Sequence, residues 1–343
     1  MKEKETVLVT GGTGYIATYI IDQLLKNGYK VRTTLRSLNR EKEVRAALAE
    51  LGQTPESELE FFEADLTADG GWAEATANVT YVMHVASPLP ITMPKDENEL
   101  IIPAKEGALR VLKAAKKAGV KRVVMTSAFG AAGMGYTKEK NNYVFTEKDW
   151  SNLEPGTKIN AYYKSKTIAE KNAWEFIHQE GGSLELATIL PVAVMGPVLR
   201  KKATGTNYLV QMLLSGKMPG YLDFYMPVVD VRDLANAHIL AMEAPKAAGE
   251  RFIISNGLSL PMKQIGMILK KHLGEEARKV PKRTIPNWVI RVSALFIPMA
   301  RDTASDLGVN RKMSNAKALK LLNWKPVYSI EDTIIATAKS IIQ

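Results

Sequence analysis

The stretch VLVTGGTGYIATYIIDQLLKNGYKV, residues 7–31, decides the fold. It reads as a strand, a tight glycine turn, an amphipathic helix and the start of a second strand. Gly11, Gly14 and Ala17 stand three residues apart. Gly11 allows a sharp turn, Gly14 removes a side chain where backbone must approach a pyrophosphate, and Ala17 lets the helix lie close to the sheet. The free N–H groups and positive dipole of the helix start then face the phosphates. A glycine turn that only connects strand to helix is the plain alternative. Its place after the first strand of a βαβ unit favours the nucleotide.

Working outward, short β-branched runs alternate with helical patterns. Strands are predicted at Thr6–Thr10, Lys30–Leu35, Leu59–Glu63, Val79–Val85, Lys121–Thr126 and Leu184–Leu190. Helices are predicted at Tyr15–Lys26, Glu41–Leu51, Glu97–Lys117 and Tyr162–Glu180. This alternation indicates an α/β fold, a doubly wound parallel sheet (Rossmann fold) covered on both faces. After Leu190 the pattern loosens and Pro, Gly and Met become frequent. The expected organisation is a dinucleotide-binding domain over 1–190, with 225–245 returning to it. An interleaved, smaller C-terminal substrate lobe would occupy 191–343.

The end of the second strand decides the cofactor. The sequence KVRTTLRSLNREKEVR, residues 30–45, offers no acid for a ribose 2′-hydroxyl before Glu41. Arg36 stands in the discriminating region, with Arg40 and Lys42 close behind. An arginine there accepts a 2′-phosphate, which predicts NADP(H) over NAD. Asp65, in EADLT, suits either the adenine edge or a helix N-cap.

A second constellation lies in INAYYKSKTIAEKNAWEF, residues 159–176. Tyr162 and Lys166 are four apart and share one helix face. A neighbouring ammonium lowers a phenol's pKa, so Tyr162 could protonate a carbonyl oxygen as a hydride arrives. Lys166 would also hold the nicotinamide ribose. Tyr163 is three residues from Lys166 and is the decoy.

Composition narrows the remaining classes. The chain has 343 residues, 46 Lys+Arg against 36 Asp+Glu, a net charge of +10 and no cysteine. Disulfides, iron–sulfur clusters and thiol nucleophiles are excluded. Four histidines, without ligand spacing, make a metal site a poor expectation. The basic residues are scattered and no nucleic-acid motif is present, so nucleic acid is not an expected partner. Ile285–Ala300 is too short and too interrupted to span a membrane; a packed helix or a flap is expected there. A strand within six residues of the start leaves no room for a leader, so a soluble cytoplasmic protein is expected, as monomer or homodimer.

With the glycine turn and the Tyr–Lys pair in place, the chain resembles the extended short-chain dehydrogenase/reductases. Within them it is similar to the dihydroflavonol-4-reductase-like branch of aldehyde and ketone reductases. RVVMTSAFGA, HVASPLPITMPKDENELIIPAKEG, YYKSKTIAEKNAW, ILPVAVMGPVL, PVVDVRDLANAHILAME and LLNWKPVYSIEDTI carry the likeness along the whole chain. The resemblance implies that Gly11, Thr13, Gly14, Tyr15 and Ile16 wrap the pyrophosphate and that Arg36, with Lys42, meets the 2′-phosphate. Asp65 and Leu66 would sit by the adenine. Ala86 and Ser87 would line the cofactor, and Pro191 and Val194 would flank the nicotinamide. His84 would be structural.

One departure bears on catalysis. Where the family has a Thr-Ser-Ser run after the fifth strand, this chain reads Thr126-Ser127-Ala128. Either Ser127 polarises the substrate carbonyl through a local shift, or Tyr162 acts alone; a serine bonded to nearby backbone is the plain reading. The expected function is NADPH-dependent reduction of a small-molecule aldehyde or ketone. A nucleotide-sugar epimerase/dehydratase and a non-catalytic NADP-sensing protein are the alternatives. Met134, Met195, Tyr208, Met212, Tyr221, Phe224, Tyr225 and Met226 would make an apolar pocket if several face it.

Overall fold

The computed structural model describes residues 5–55, 57–88, 94–136, 143–296, 304 and 306–342. Strands in chain order are β1 (Thr6–Val9), β2 (Lys30–Leu35), β3 (Leu59–Glu63), β4 (Tyr81–His84), β5 (Arg122–Thr126) and β6 (Val144–Phe145). They continue with β7 (Glu185–Pro191), β8 (Ala193–Met195), β9 (Tyr225–Asp230), β10 (Glu250–Ile254), β11 (Ser259–Pro261) and β12 (Lys312–Met313). Helices are α1 (Tyr15–Lys26), α2 (Glu41–Glu50), α3 (Trp72–Thr76), α4 (Asn98–Lys117), α5 (Ala161–Glu180) and α6 (Asn207–Ser215). Then follow α7 (Val231–Glu243), α8 (Met262–Leu273), α9 (Asn287–Ser293), α10 (Ala316–Leu322) and α11 (Ile330–Ile342).

Seven strands form one parallel sheet in the order β10-β7-β5-β4-β1-β2-β3. Strand β1 pairs with β2 on one side, Val7 beside Val31, and with β4 on the other, Val7 beside Tyr81. The chain therefore winds outward in opposite directions from β1 and β4, and their carboxyl ends open a crevice at the switch point. Fully apolar strands such as VVM within β5 are buried because helices cover both faces. One core cluster joins the sheet to α1 and α7, and a second joins it to α4 and α5.

Strand β10 is absent from the sequence reading; it pairs with β7, Glu250 beside Ala187 through Ile254 beside Pro191. A short strand on the far edge, reached only after α7, has little local signature beyond its apolar run. A separate three-stranded sheet, β11-β9-β8, covers a third core built on Met195, Tyr221, Val228, Met262 and Ile265. At Ile285–Ala300 the packed-helix expectation fails: among the described residues of that stretch α9 is helical, but Trp288, Leu295 and Phe296 are exposed. Residues 297–300 of that stretch and 89–93 of the fourth-strand segment lie outside the described residues. Among the described residues no helix is long and apolar enough to cross a membrane.

Candidate active site

The glycine turn lies at the switch point. Gly11 has φ +73°, a left-handed conformation that an L side chain rarely takes, and its N–H donates to Thr34 Oγ1 at 3.0 Å. A Cβ on Gly12 would fall 2.3 Å from Thr33 Oγ1, so only glycine lets the turn lie against β2. Gly14 N–H closes the turn on Gly11 O at 2.8 Å, and the first bond of α1 runs from Thr18 to Gly14 O. The N–H groups of Tyr15 and Ile16 thus precede the intrahelical ladder. No acid occupies the first turn of α1. This is an anion cradle, and the residues present fit a dinucleotide pyrophosphate. The Tyr15 side chain turns away, its hydroxyl buried beside Gly196 and Asp230, so only its backbone serves the cradle. Thr13 and Ile16 are half-buried at the turn.

Across the crevice, Val85 and Ala86 N–H donate to Thr10 Oγ1 at 3.0 and 2.9 Å. With its lone pairs occupied, the Thr10 hydroxyl gives its proton to His84 Nδ1 at 3.1 Å. His84 is buried and held neutral, its pKa lowered to about 3 by desolvation and then by Lys166. It is a structural group. Ala86 approaches Gly11 so closely that a Cβ there would lie 3.0 Å from the alanine methyl, and Ser87 follows half-buried.

Past the end of β2, Arg36 is exposed and without an ion pair among the described residues. Lys42 is exposed in the first turn of α2. Arg40 is engaged elsewhere, through two hydrogen bonds to Glu43 at 2.9 and 3.0 Å. Asp65 Oδ1 accepts from Thr67 N–H and Oγ1, which lowers its pKa; Arg36 and Arg110 add weaker attraction. Asp65 is therefore the anchor of a local turn that sits in the field of Arg36, and α3 begins only at Trp72. Leu66 packs on Gly107 of α4.

Helix α5 carries the second constellation, started by Asn160, whose side chain caps Tyr163 N–H at 3.0 Å. Tyr162 and Lys166 lie one turn apart. Lys166 is buried and its Nζ reaches Thr126 O, at the end of β5, at 3.4 Å. Burial lowers its pKa to about 8, against an opposing attraction from Glu170. The phenol of Tyr162 departs from expectation. Burial, then Tyr163, raises it above its ordinary value, and the ammonium does not pull it down. It stays protonated at neutral pH and makes no hydrogen bond among the described residues. Tyr163 lies 5.5 Å away, ring to ring, with its own ring flush on Gly130.

Ser127 requires a correction. Its hydroxyl is buried and donates to Glu170 Oε2 at 2.6 Å. A hydroxyl has one proton, so this serine is not placed to polarise a substrate oxygen. Glu170 is fully buried one turn beyond Lys166. It also accepts from Thr188 Oγ1 at 2.7 Å, Arg251 Nε at 2.8 Å and Arg251 Nη2 at 3.2 Å. Extended backbone at Ala128 (φ −158°, ψ 153°) turns its methyl to the face opposite Ser127. Sequence reasoning missed Glu170, although an acid eight residues after Tyr162 and four after Lys166, on the same face of α5, was a readable signal.

The model of the NAD dependent epimerase/dehydratase family matches residues 7–255. The chain belongs to that family. It is 36% identical over 258 residues to tetraketide alpha-pyrone reductase 2 of Arabidopsis thaliana, covering 74% of this chain and 78% of the relative. It is 32% identical over 260 residues to dihydroflavonol 4-reductase of Zea mays, covering 74% and 71%. The yeast methylglyoxal/isovaleraldehyde reductase, solved with NADPH, superposes with a TM-score of 0.80 at 26% identity over 98% of each chain. The chain is thus an extended short-chain dehydrogenase/reductase with dihydroflavonol-reductase-like relatives.

The two residues expected at the nicotinamide lie on β7 and β8. Pro191 ends β7 beside Ile254, and Val194 lies in β8 beside Val229. Several expected pocket residues are core instead: Met195, Tyr221 and Met226 are buried in the third cluster, and Tyr208 is half exposed to solvent. Met134, Met212, Phe224 and Tyr225 are half-buried. No cluster of three metal-ligating side chains occurs among the described residues.

Proposed function

We propose that the protein is an NADPH-dependent reductase of aldehydes or ketones, with Tyr162 as general acid. The observation that carries this reading is the placement of α5: a free, protonated phenol one turn from a buried lysine that touches the end of β5. NADP(H) fits the glycine cradle and Arg36, which has no ion pair among the described residues, with Lys42 nearby. Its chemistry there is delivery of a hydride to the carbonyl carbon. The carbonyl's π electrons pass to oxygen, and Tyr162 donates the proton that makes the alcohol. Lys166 orients the ribose and supplies positive charge beside the phenolate left behind. Thr13 and Ile16 would join the glycines in holding the pyrophosphate, Leu66 would meet the adenine, and Ala86, Ser87, Pro191 and Val194 would frame the nicotinamide.

The test is loss of NADPH absorbance with a carbonyl panel. Tyr162→Phe is expected to reduce turnover at least about 1000-fold with NADPH affinity nearly unchanged, since only the proton donor is lost. Tyr163→Phe is expected to stay within several-fold. A dead Tyr163→Phe with active Tyr162→Phe would overturn the assignment.

A further inference from the structure

Helix α5 carries a third polar residue on the face of Tyr162 and Lys166. Glu170 follows them at the same four-residue spacing and is fully buried. Its carboxylate ties the helix to three strands of the sheet. Oε2 accepts from Ser127, just past β5, at 2.6 Å and from Arg251 Nη2, on β10, at 3.2 Å. Oε1 accepts from Thr188, on β7, at 2.7 Å, from Arg251 Nε at 2.8 Å and from Trp174 Nε1 at 3.4 Å. Both oxygens accept, each from one arm of a guanidinium, so the group is an anion. Arg251 sends its remaining nitrogen, Nη1, to Glu147 O and Asp149 O at 2.7 and 2.8 Å, and its guanidinium lies 3.7 Å from the centre of the Trp150 ring. Lys166, Glu170 and Arg251 are thus all buried. The anion lies one helical turn from the first cation and is bonded to the second.

We infer that Glu170 is a positioning residue for the reaction: bound to β5, β7 and β10, it supplies the counter-charge that keeps Lys166 an ammonium beside Tyr162. This deepens the reductase reading and rests on it. An ammonium taken out of water loses its hydration, and the partner of Lys166 at the strand end, Thr126 O at 3.4 Å, is a neutral carbonyl. An anion one turn away offsets part of that cost. The directions agree: burial lowers the lysine to about 8, and Glu170 opposes the fall. The elements packed around α5 bring other titratable groups. His84 on β4 and His238 on α7 are neutral, with pKa values of about 3 and about 4. Glu97, just before α4, pairs with Lys164 at 2.6 Å, and Glu147 Oε1 accepts from Ile253 N–H at 3.0 Å. Tyr162 and Tyr163, both raised by burial, hold their protons. Arg251 is a cation and disfavours a second positive charge. The two members of one buried pair therefore act on Lys166 with opposite sign.

The experiment is the pH profile of single-turnover NADPH oxidation, with benzaldehyde as the probe. Lysine is charged below its pKa, so the wild-type rate is expected to fall above a pH of about 8. Glu170→Gln should move that fall at least about one pH unit lower, which cuts the rate at pH 8, relative to the low-pH plateau, about fivefold. Arg251→Gln removes the cation and leaves the anion, so its fall should stay in place or move to higher pH. The double variant Glu170→Gln/Arg251→Gln leaves neither member as a lone buried charge and decides the matter if a single variant fails to fold. Its midpoint should lie below wild type, by less than in Glu170→Gln. A merely structural link would lower rate or stability with every midpoint unmoved, and that result overturns the inference. So does a move to lower pH in Arg251→Gln. A readout free of turnover is the ¹³Cε resonance of Lys166 in lysine-labelled protein with NADPH bound, identified by its loss in Lys166→Met. Its titration should shift as the profile does. If it shifts while benzaldehyde and every other carbonyl leave NADPH unoxidised, the reductase reading fails by itself. If carbonyls are reduced and the resonance titrates alike in all variants, the role of Glu170 fails by itself.

Discussion

The strand ends after β1 and after β5 meet at one site and are built by different means. After β1 the chemistry is backbone: a left-handed glycine, a turn closed by Gly14 N–H, and the unbonded start of α1. After β5 it is side chain: Thr126, Ser127, Lys166 and Glu170 each find a partner far away in sequence. A backbone site is written locally and tolerates no added atom. A side-chain site depends on which neighbour captures each proton, and one residue's identity says little about its role.

Each strand end also holds one buried histidine, His84 through Thr10 and His238 through Thr126. Their folded pKa values, about 3 and about 4, lie below the ordinary 6.5. The unfolded chain therefore binds more protons below pH 6.5, and stability falls as pH drops through that window. Each histidine adds a slope of about 1.4 kcal/mol per pH unit, so the pair removes roughly 4 kcal/mol by pH 5. Urea unfolding at pH 7 and pH 5 measures this, and His238→Gln should remove about half the difference. An unchanged difference would show that the β5 end does not hold its histidine neutral.

Gly12→Ala probes the backbone end. The new methyl meets Thr33, whose hydroxyl is committed to Val9 O at 2.8 Å, so relief requires strand movement. A loss of about 3 kcal/mol and at least tenfold weaker NADPH binding are expected from denaturation and fluorescence titration. Wild-type behaviour would mean that the turn is looser than the geometry allows. Ser127→Ala probes the other end: stability should fall by about 2 kcal/mol, with kcat within about threefold. A hundredfold loss of kcat at unchanged stability would return Ser127 to the substrate. Arg36→Asp sharpens the contrast at smaller scale, raising the KM for NADPH about tenfold, or roughly 1.4 kcal/mol, and improving use of NADH. An unmoved NADPH:NADH ratio would assign the phosphate to another cation.

Much of the fold is legible without coordinates. Tyr15–Lys26, Lys30–Leu35 and Leu59–Glu63 form as read, because strict periodicity and glycine punctuation act over a few residues. β10 escaped because it follows α7 outside the regular strand–helix alternation of the first half; its partner β7 lies more than fifty residues earlier. The substrate side was read less well for a similar reason. Met195 and Tyr221 are apolar whether they line a pocket or fill a core; Tyr221 seats its hydroxyl against Gly266, and both residues are buried in the third cluster.

By itself, the sequence determined the βαβ winding, the glycine turn, the cationic end of β2 and the shared face of Tyr162 and Lys166. The winding follows from the alternation of successive elements, and the other three from residues only a few positions apart. Only the tertiary structure decided where Ser127 gives its proton, that Lys166 is buried with its pKa near 8, and that the Tyr162 phenol lies above its ordinary value. The first depends on a partner 43 residues distant, Glu170, and the other two on burial that only the packed fold supplies. A hydroxyl's role is set by the acceptor that folding brings within 3 Å of it, and no local pattern carries that information.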